Sequence, residues 1–326
     1  MDKILISPAP LAGLEAEFVT VLRKAGFELV YPKKRAQLTE DELSEQLSGI
    51  RAAIAGSEPY TRKVLTANPP LRVIARAGVG YDAVDLVAAT DHGVAVTITP
   101  GTNHDAVAEH TFTHILALAK SLIPQHLGTC ALKWPRQATI PLRGRTLGIA
   151  GLGRIGKAVA IRGAAFGMKL IAYEPFPDHA FAKQNGITFV NFDELLRQSD
   201  FLTLHMPANK ESHRLINQQN LAKMKPTAFL INTARGALVN EPDLIAALEA
   251  KLIAGAGLDV FEEEPPRDSV LFHMANVVVT PHAAGVDLQS RDDMALSAAQ
   301  AIVSLSKGEW PTEKVVNPDV KARFRW

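Results

Sequence analysis

Two side chains that follow apolar runs carry the chemistry open to this sequence. In "FLINTARGALVN" Arg235 stands just past one such run, and in "VVVTPHAAG" His282 stands past another, behind a proline and ahead of small residues. A guanidinium grips a carboxylate through two parallel hydrogen bonds. An imidazole moves a proton near neutral pH. Between them, "GAGLDVFEEEPP" runs Glu262, Glu263 and Glu264 into two prolines. On local grounds that stretch reads as an exposed acidic turn.

A third motif points to a nucleotide. "GLGRIG" places Gly151, Gly153 and Gly156 directly after the strand-like run "TLGIA" and at the head of a helical pattern. In that context the first glycine permits a tight turn, the second lets the backbone approach a pyrophosphate, and the third lets the helix pack close to the strand. The helix N-terminus adds unpaired N–H groups and a partial positive charge. Glu174, at the end of "KLIAYE", would accept hydrogen bonds from ribose hydroxyls and repel a 2′-phosphate. With Pro175 and Phe176 next, rather than Arg or Ser, the expected cofactor is NAD and not NADP.

These residues need rigid elements to hold them. "KILIS", "FELVY", "RAAIAG", "LRVIARAG" and "VAVTIT" alternate with helix-like segments over the first hundred residues. Runs so nearly continuous in apolar residues suggest strands covered on both faces, hence an α/β fold with a parallel sheet. After "GTNHDAVAEHTFTHILALAKSL", a long helical pattern, the alternation restarts at "TLGIA" and continues through "DFLTLHMP", "TAFLINTA", "IAGAGLDV" and "NVVVTPH", which predicts a second parallel sheet. The last helical segment, "LQSRDDMALSAAQAIVSLSKG", has no strand of that sheet left to follow and is expected to pack back on the first domain.

Bulk properties agree with this reading. A chain of 326 residues suits two domains, and 47% hydrophobic with 21% charged residues is ordinary for a globular protein. A net charge of +1 gives no field to hold a nucleic acid or an anionic membrane. The single cysteine, Cys130, excludes an intramolecular disulfide framework and a Cys-rich zinc site, and no metal is expected. The start "MDKILISPAP" has too short an apolar run for a signal peptide, so a cytoplasmic location is expected.

The motifs "RAGVGYDAVD", "TPGTNHDAVAEHT", "GLGRIG", "LHMP", "NTARGALVN", "GLDVFEEEP" and "TPHAAG", in this order over roughly residues 50 to 310, resemble the D-isomer-specific 2-hydroxyacid dehydrogenase family. The resemblance implies two Rossmann-like or flavodoxin-like domains, with an NAD-binding domain (101–285) inserted into a discontinuous substrate-binding domain (1–100 and 286–326). The two would close on a 2-oxo or 2-hydroxy acid. It makes Arg235 the substrate-carboxylate arginine, His282 the acid/base, and Glu264 the carboxylate that supports it, since a carboxylate beside an imidazole favours its charged form. Glu262 and Glu263 are left as solvated charges. Asp259 matches the residue that holds the nicotinamide carboxamide. Arg154 and Ile155 match the pyrophosphate turn, His205 and Pro207 the cofactor lining, and Thr233 with Ala234 the strand end under the nicotinamide. Val79 and Gly80 match a substrate loop whose backbone N–H groups help hold the carboxylate, and Asn103 lies near the hinge. A homodimer formed through the cofactor domain, with the long helix beginning near Asn103 contributing, is also implied.

Three departures bear on substrate. Relatives that use 3-phosphoglycerate commonly carry an arginine where "AGSEPYT" has Glu58, an acid expected to repel a substrate phosphate; Arg62 is near but not at that position. Ala83 replaces the more usual Asn. The chain ends without a regulatory domain, so serine feedback is not expected. An NAD-binding scaffold of the corepressor type is the alternative function, because such proteins keep the same Arg, Glu and His. Phosphite oxidation would want a lysine where Val79 stands. No function attaches to "KARFRW" at the C-terminal end.

Overall fold

Strand segments that are apolar at every position must bury both faces. In the computed structural model, which describes residues 1–34, 36–266 and 268–326, they do so as two parallel sheets. The first contains β1 (Lys3–Ile6), β2 (Glu28–Val30), β3 (Ile50–Ala55), β4 (Val73–Arg76) and β5 (Ala95–Thr97), in the order β2-β1-β3-β4-β5. The second contains β6 (Thr146–Ala150), β7 (Lys169–Tyr173), β8 (Ile187–Phe189), β9 (Phe201–Leu204), β10 (Phe229–Asn232), β11 (Gly255–Leu258) and β12 (Val277–Val279), in the order β12-β11-β10-β9-β6-β7-β8.

Successive side chains of a strand point to opposite faces. Thus Ile4, Ile6, Ala52, Ile54, Val73 and Ala75 enter one core of the first sheet, while Leu5, Ala53, Ala55 and Ile74 enter the other. In the second sheet Leu147, Ile149, Phe201, Phe229 and Ile231 face one core and Ala150, Leu202, Leu204 and Leu230 face the other. Each fully buried Leu, Ile or Phe contributes about 1.5–3 kcal/mol.

The chain divides into two units, Met1–Asn103 with Val286–Trp326, and His104–Gly285. In the first unit the helix Leu288–Ser306, capped by Asp287, packs on the helix Glu17–Lys24 and on β3 and β4. The C-terminal residues have a structural role there. Trp326 donates its indole N–H to Asp2 at 3.0 Å and lies against Phe27, with the Arg51 guanidinium 5.8 Å over its ring.

Local details differ from the sequence reading. The long helical pattern forms the helix His104–Ala119, and a second helix that was not expected, Leu122–Cys130, follows it, set off by Ser121 in a left-handed conformation (φ 49°). β8 was not expected: three residues at a sheet edge are too few for a period to register. Glu58, the acid expected to repel a substrate phosphate, is buried. It is 2% exposed, and its carboxylate turns back to accept the Gly56 N–H at 2.7 Å.

Candidate active site and cofactor turn

In an open parallel sheet the chain leaves neighbouring strands in opposite directions at one point, and a crevice opens beyond the carboxyl ends there. In the second sheet that point lies between β6 and β9. The glycine turn follows β6 directly. Gly151 has φ 96°, and a Cβ on it would stand 2.6 Å from the His205 carbonyl oxygen at the end of β9, so only glycine fits. A Cβ on Gly156 would stand 2.1 Å from the Gly151 oxygen, which is how closely the helix Arg154–Ala165 packs on its own turn. Among the described residues a Cβ on Gly153 would meet nothing within 4 Å beyond its chain neighbours, and as N-cap it has no side-chain bond to the first N–H groups of that helix. An open face above uncapped donors fits a phosphate.

Glu174 is held beside this turn. Its Oε2 accepts the Leu152 N–H at 2.7 Å and its Oε1 the Phe176 N–H at 3.0 Å. Arg154 and Ile155 begin the helix. The His205 imidazole bonds Thr203 Oγ1 through Nε2 at 2.9 Å, and burial pushes it down to about 3, so it carries no charge near neutrality. Pro207 is exposed and its carbonyl accepts from Ser212.

Arg235, Glu264 and His282, the residues expected to do the acid–base chemistry, lie beyond β10, β11 and β12 of the same sheet. Asn232, the last residue of β10, shapes the turn that carries Arg235: its Oδ1 accepts the Ala234 N–H at 3.1 Å and its Nδ2 donates to the Arg235 carbonyl at 2.8 Å. Arg235 Nη1 donates to the Ala234 carbonyl at 2.6 Å. Gly236 lets this turn press on the next strand's exit, since a Cβ there would meet the Phe261 carbonyl at 1.9 Å. Thr233 is buried and shares a bond of 3.0 Å with Thr111.

That exit holds Glu264. Its Oε1 accepts the Phe261 N–H at 3.0 Å and its Oε2 meets His282 Nδ1 at 2.6 Å. Burial pushes the Glu264 carboxyl up, but the His282 hydrogen bond and charge, the Phe261 N–H and the Arg235 charge outweigh it and hold the carboxyl below its ordinary value. Nδ1 is thereby engaged, and Nε2 is the nitrogen left for a substrate. His282 itself has φ 52°, a left-handed conformation that costs a non-glycine residue about 1–2 kcal/mol. Glu262 and Glu263 are exposed while Glu264 is half-buried, and Glu262 also pairs with Arg214 at 2.8 Å while its N–H reaches Glu241.

Asp259, just past β11, is fully buried and its bonds go to the His282 loop. Oδ1 accepts from the Thr280 hydroxyl at 2.6 Å and the Ala283 N–H at 2.9 Å, and Oδ2 accepts the Ala284 N–H at 2.9 Å. Sequence reasoning missed Thr280, His110, His114, Asn232 and Glu241. Burial raises the Glu241 carboxyl, with Glu262 and Glu264 adding to the effect. The two histidines were legible only as an i, i+4 pair in "EHTFTH" on a helix with no named role.

In the first unit, Val79 and Gly80 lie on the loop after β4. Arg76 Nε donates to the Gly80 carbonyl at 2.9 Å, and the Gly78 N–H donates to Thr99 Oγ1 at 3.0 Å. Asn103 is the last residue of that unit before the second begins.

A glycine turn at the switch point, with a histidine–carboxylate pair beyond β11 and β12 of the same sheet, fits the class of nicotinamide-dependent oxidoreductases. Residues 112–284 match the family model for the D-isomer specific 2-hydroxyacid dehydrogenase, NAD binding domain. The chain is 38% identical over 306 residues to a glyoxylate reductase of Korarchaeum cryptofilum, covering 91% of this chain and 92% of that one. It is 40% identical over 272 residues to a D-3-phosphoglycerate dehydrogenase of Synechocystis, covering 81% of this chain but 49% of that protein. The structure of an Aquifex aeolicus D-lactate dehydrogenase complexed with NAD and lactic acid superposes with a TM-score of 0.81 at 29% identity, covering 96% of this chain and 99% of that one. The chain belongs to the D-isomer specific 2-hydroxyacid dehydrogenase family and is an NAD-dependent enzyme. Among the described residues, no helix is long and apolar enough to cross a membrane.

Proposed function

We propose that the enzyme interconverts a small, unphosphorylated 2-oxo acid and its D-2-hydroxy acid, with Arg235, His282 and Glu264 performing the protein's part. The observation that carries this reading is the 2.6 Å contact of His282 Nδ1 with Glu264, made beside the turn that bears Arg235. Arg235 binds the substrate carboxylate. His282 gives a proton from Nε2 to the carbonyl oxygen during reduction and takes it back during oxidation. Glu264 orients the ring and favours its charged form. Bound NADH supplies the hydride to C2 of the substrate.

For the cofactor, the uncapped start of the helix Arg154–Ala165 and the open face of Gly153 suit the pyrophosphate, and Glu174 suits the ribose hydroxyls. His205, Pro207, Thr233, Ala234 and Asp259 are assigned to its surroundings by resemblance alone, as the Val79–Gly80 loop is to the substrate. Glyoxylate and hydroxypyruvate are the first substrates to try, since glyoxylate reductases are among the relatives that match over nearly their whole length. No arginine stands at the loop position that phosphoglycerate users commonly carry.

A homodimer is proposed on the apolar face of the second unit. Leu122, Ile123 and Leu127 of the helix Leu122–Cys130 are exposed, as are Leu132 and Trp134 beyond it, an arrangement that suits a protein contact.

A panel of 2-oxo acids with NADH, followed by absorbance, tests the function. Turnover of at least one is expected, with His282→Ala lowering mainly kcat and Arg235→Ala also raising KM strongly. No turnover across the panel would leave an NAD-binding scaffold as the reading.

A further inference from the structure

His110 and His114 stand four residues apart on the helix His104–Ala119 and so share one face. Their Nε2 atoms lie 2.9 and 3.1 Å from a single oxygen, Thr280 Oγ1. That hydroxyl donates its proton to Asp259 Oδ1 at 2.6 Å. A hydroxyl has one proton and two acceptor lone pairs. With its proton given to the carboxylate, Thr280 can bond both histidines only by accepting from them, which makes each neutral imidazole an Nε2–H tautomer. His114 agrees independently. Its Nδ1 is buried without a hydrogen-bond partner among the described residues, a place where a bare lone pair is tolerated better than an N–H. Burial, with His110 alongside, pushes it down to about 4, so it is neutral at physiological pH.

Beyond Thr280 and Pro281, Asp259 holds the three residues His282, Ala283 and Ala284. Its main-chain oxygen accepts the His282 N–H at 2.8 Å, and its carboxylate accepts the N–H groups of Ala283 and Ala284, each at 2.9 Å. These bonds bracket His282 while its backbone stays left-handed (φ 52°). Strained conformations of this kind persist only where the surroundings over-determine them.

We propose that His110, His114, Thr280 and Asp259 form a positioning network that holds His282 in its left-handed conformation and sets the direction in which its imidazole meets the substrate. His110, His114 and Thr280 are positioning residues that act through the loop, and Asp259 holds that loop in addition to its assignment beside the cofactor. The proposal rests on His282 being the acid/base. His110, His114 and Asp259 also have the donor set of a metal site, with ligand atoms within 4.8 Å of one another. The Thr280 hydroxyl, at 2.6 to 3.1 Å from all three, stands where an ion would have to sit.

Two measurements test the network. In long-range proton–nitrogen spectra of the histidine-labelled wild-type protein, without substrate, His110 and His114 are expected as Nε2–H tautomers when neutral. An Nδ1–H tautomer at either refutes the bond directions and with them the network. In kinetics, Thr280→Val, which keeps the volume and removes the hydroxyl, is expected to lower kcat for 2-oxo acid reduction about tenfold to a hundredfold, the size of effect small misplacements produce. KM for the oxo acid and for NADH should stay within about twofold. Thr280→Ser should restore most of the rate. Wild-type kcat in Thr280→Val, a loss carried by KM alone, or no rescue by Thr280→Ser would overturn the positioning role. If the wild-type protein reduced no oxo acid, the proposed function would fail while the spectra still decided the hydrogen-bond network.

Discussion

Replacing Glu264 by glutamine removes one negative charge from a site 2.6 Å from His282 Nδ1 while keeping side-chain volume and an acceptor oxygen. The two side chains are 42% and 27% exposed, so solvent screens the pair considerably. Unit charges about 4 Å apart interact by about 1 kcal/mol in water and about 4 kcal/mol at the effective dielectric near a protein surface. A middle value of about 2 kcal/mol corresponds to about 1.5 pH units. The sign follows from reciprocity: His282 holds the Glu264 carboxyl below its ordinary value, so the carboxylate must favour the protonated imidazole by the same coupling. Reduction requires that protonated form as its acid. In Glu264→Gln the alkaline limb of kcat/KM for reduction should therefore move about 1–2 units to lower pH. The acid limb for oxidation, which needs the neutral ring, should move the same way. Profiles of both directions with a 2-oxo acid and its D-2-hydroxy acid supply the measurement. An unmoved alkaline limb, or the same displacement in Glu262→Gln, whose wild-type side chain is paired to Arg214, would refute the assignment.

Two other outcomes follow from the second unit. Glu174→Ala removes the carboxylate beside the glycine turn, so the ratio of kcat/KM for NADH over NADPH should fall at least about tenfold, as expected from losing a like-charge repulsion and charged hydrogen bonds; an unchanged ratio in initial-rate assays would remove Glu174 from cofactor choice. Leu127→Lys puts a charge in the exposed apolar face. Light scattering should show the variant as a monomer at concentrations where the wild type is a dimer, and a dimer in both would place the contact elsewhere.

Much of the framework was legible in the chain itself. "TLGIA" followed by "GLGRIG" could be read as strand, turn and helix because continuous burial and glycine spacing are local properties. The runs ending at Arg235 and His282 were likewise visible, as each residue follows a short stretch of β-branched and apolar residues. β8 was not, since "ITF" is too short to show a period. The second helix after Ser121 was not read either, although Pro124 in its first turn is a helix-start signal.

What the three consecutive glutamates do was beyond local reading. Their neighbours in space come from distant parts of the chain: Arg214 beside Glu262, His282 beside Glu264. Glu58 differs, since its partner is local: it is buried on its own loop and accepts the Gly56 N–H. Above all, only the tertiary structure brought His110 and His114 to Thr280 and Asp259, across separations of up to 170 residues. Composition and period are set by nearest neighbours along the chain, whereas a hydroxyl's choice of donor and acceptor is set by which elements pack together. The sequence by itself determined the parallel sheets, the nucleotide turn and the reacting residue types; packing decided which carboxylate meets the imidazole and what holds that imidazole in place.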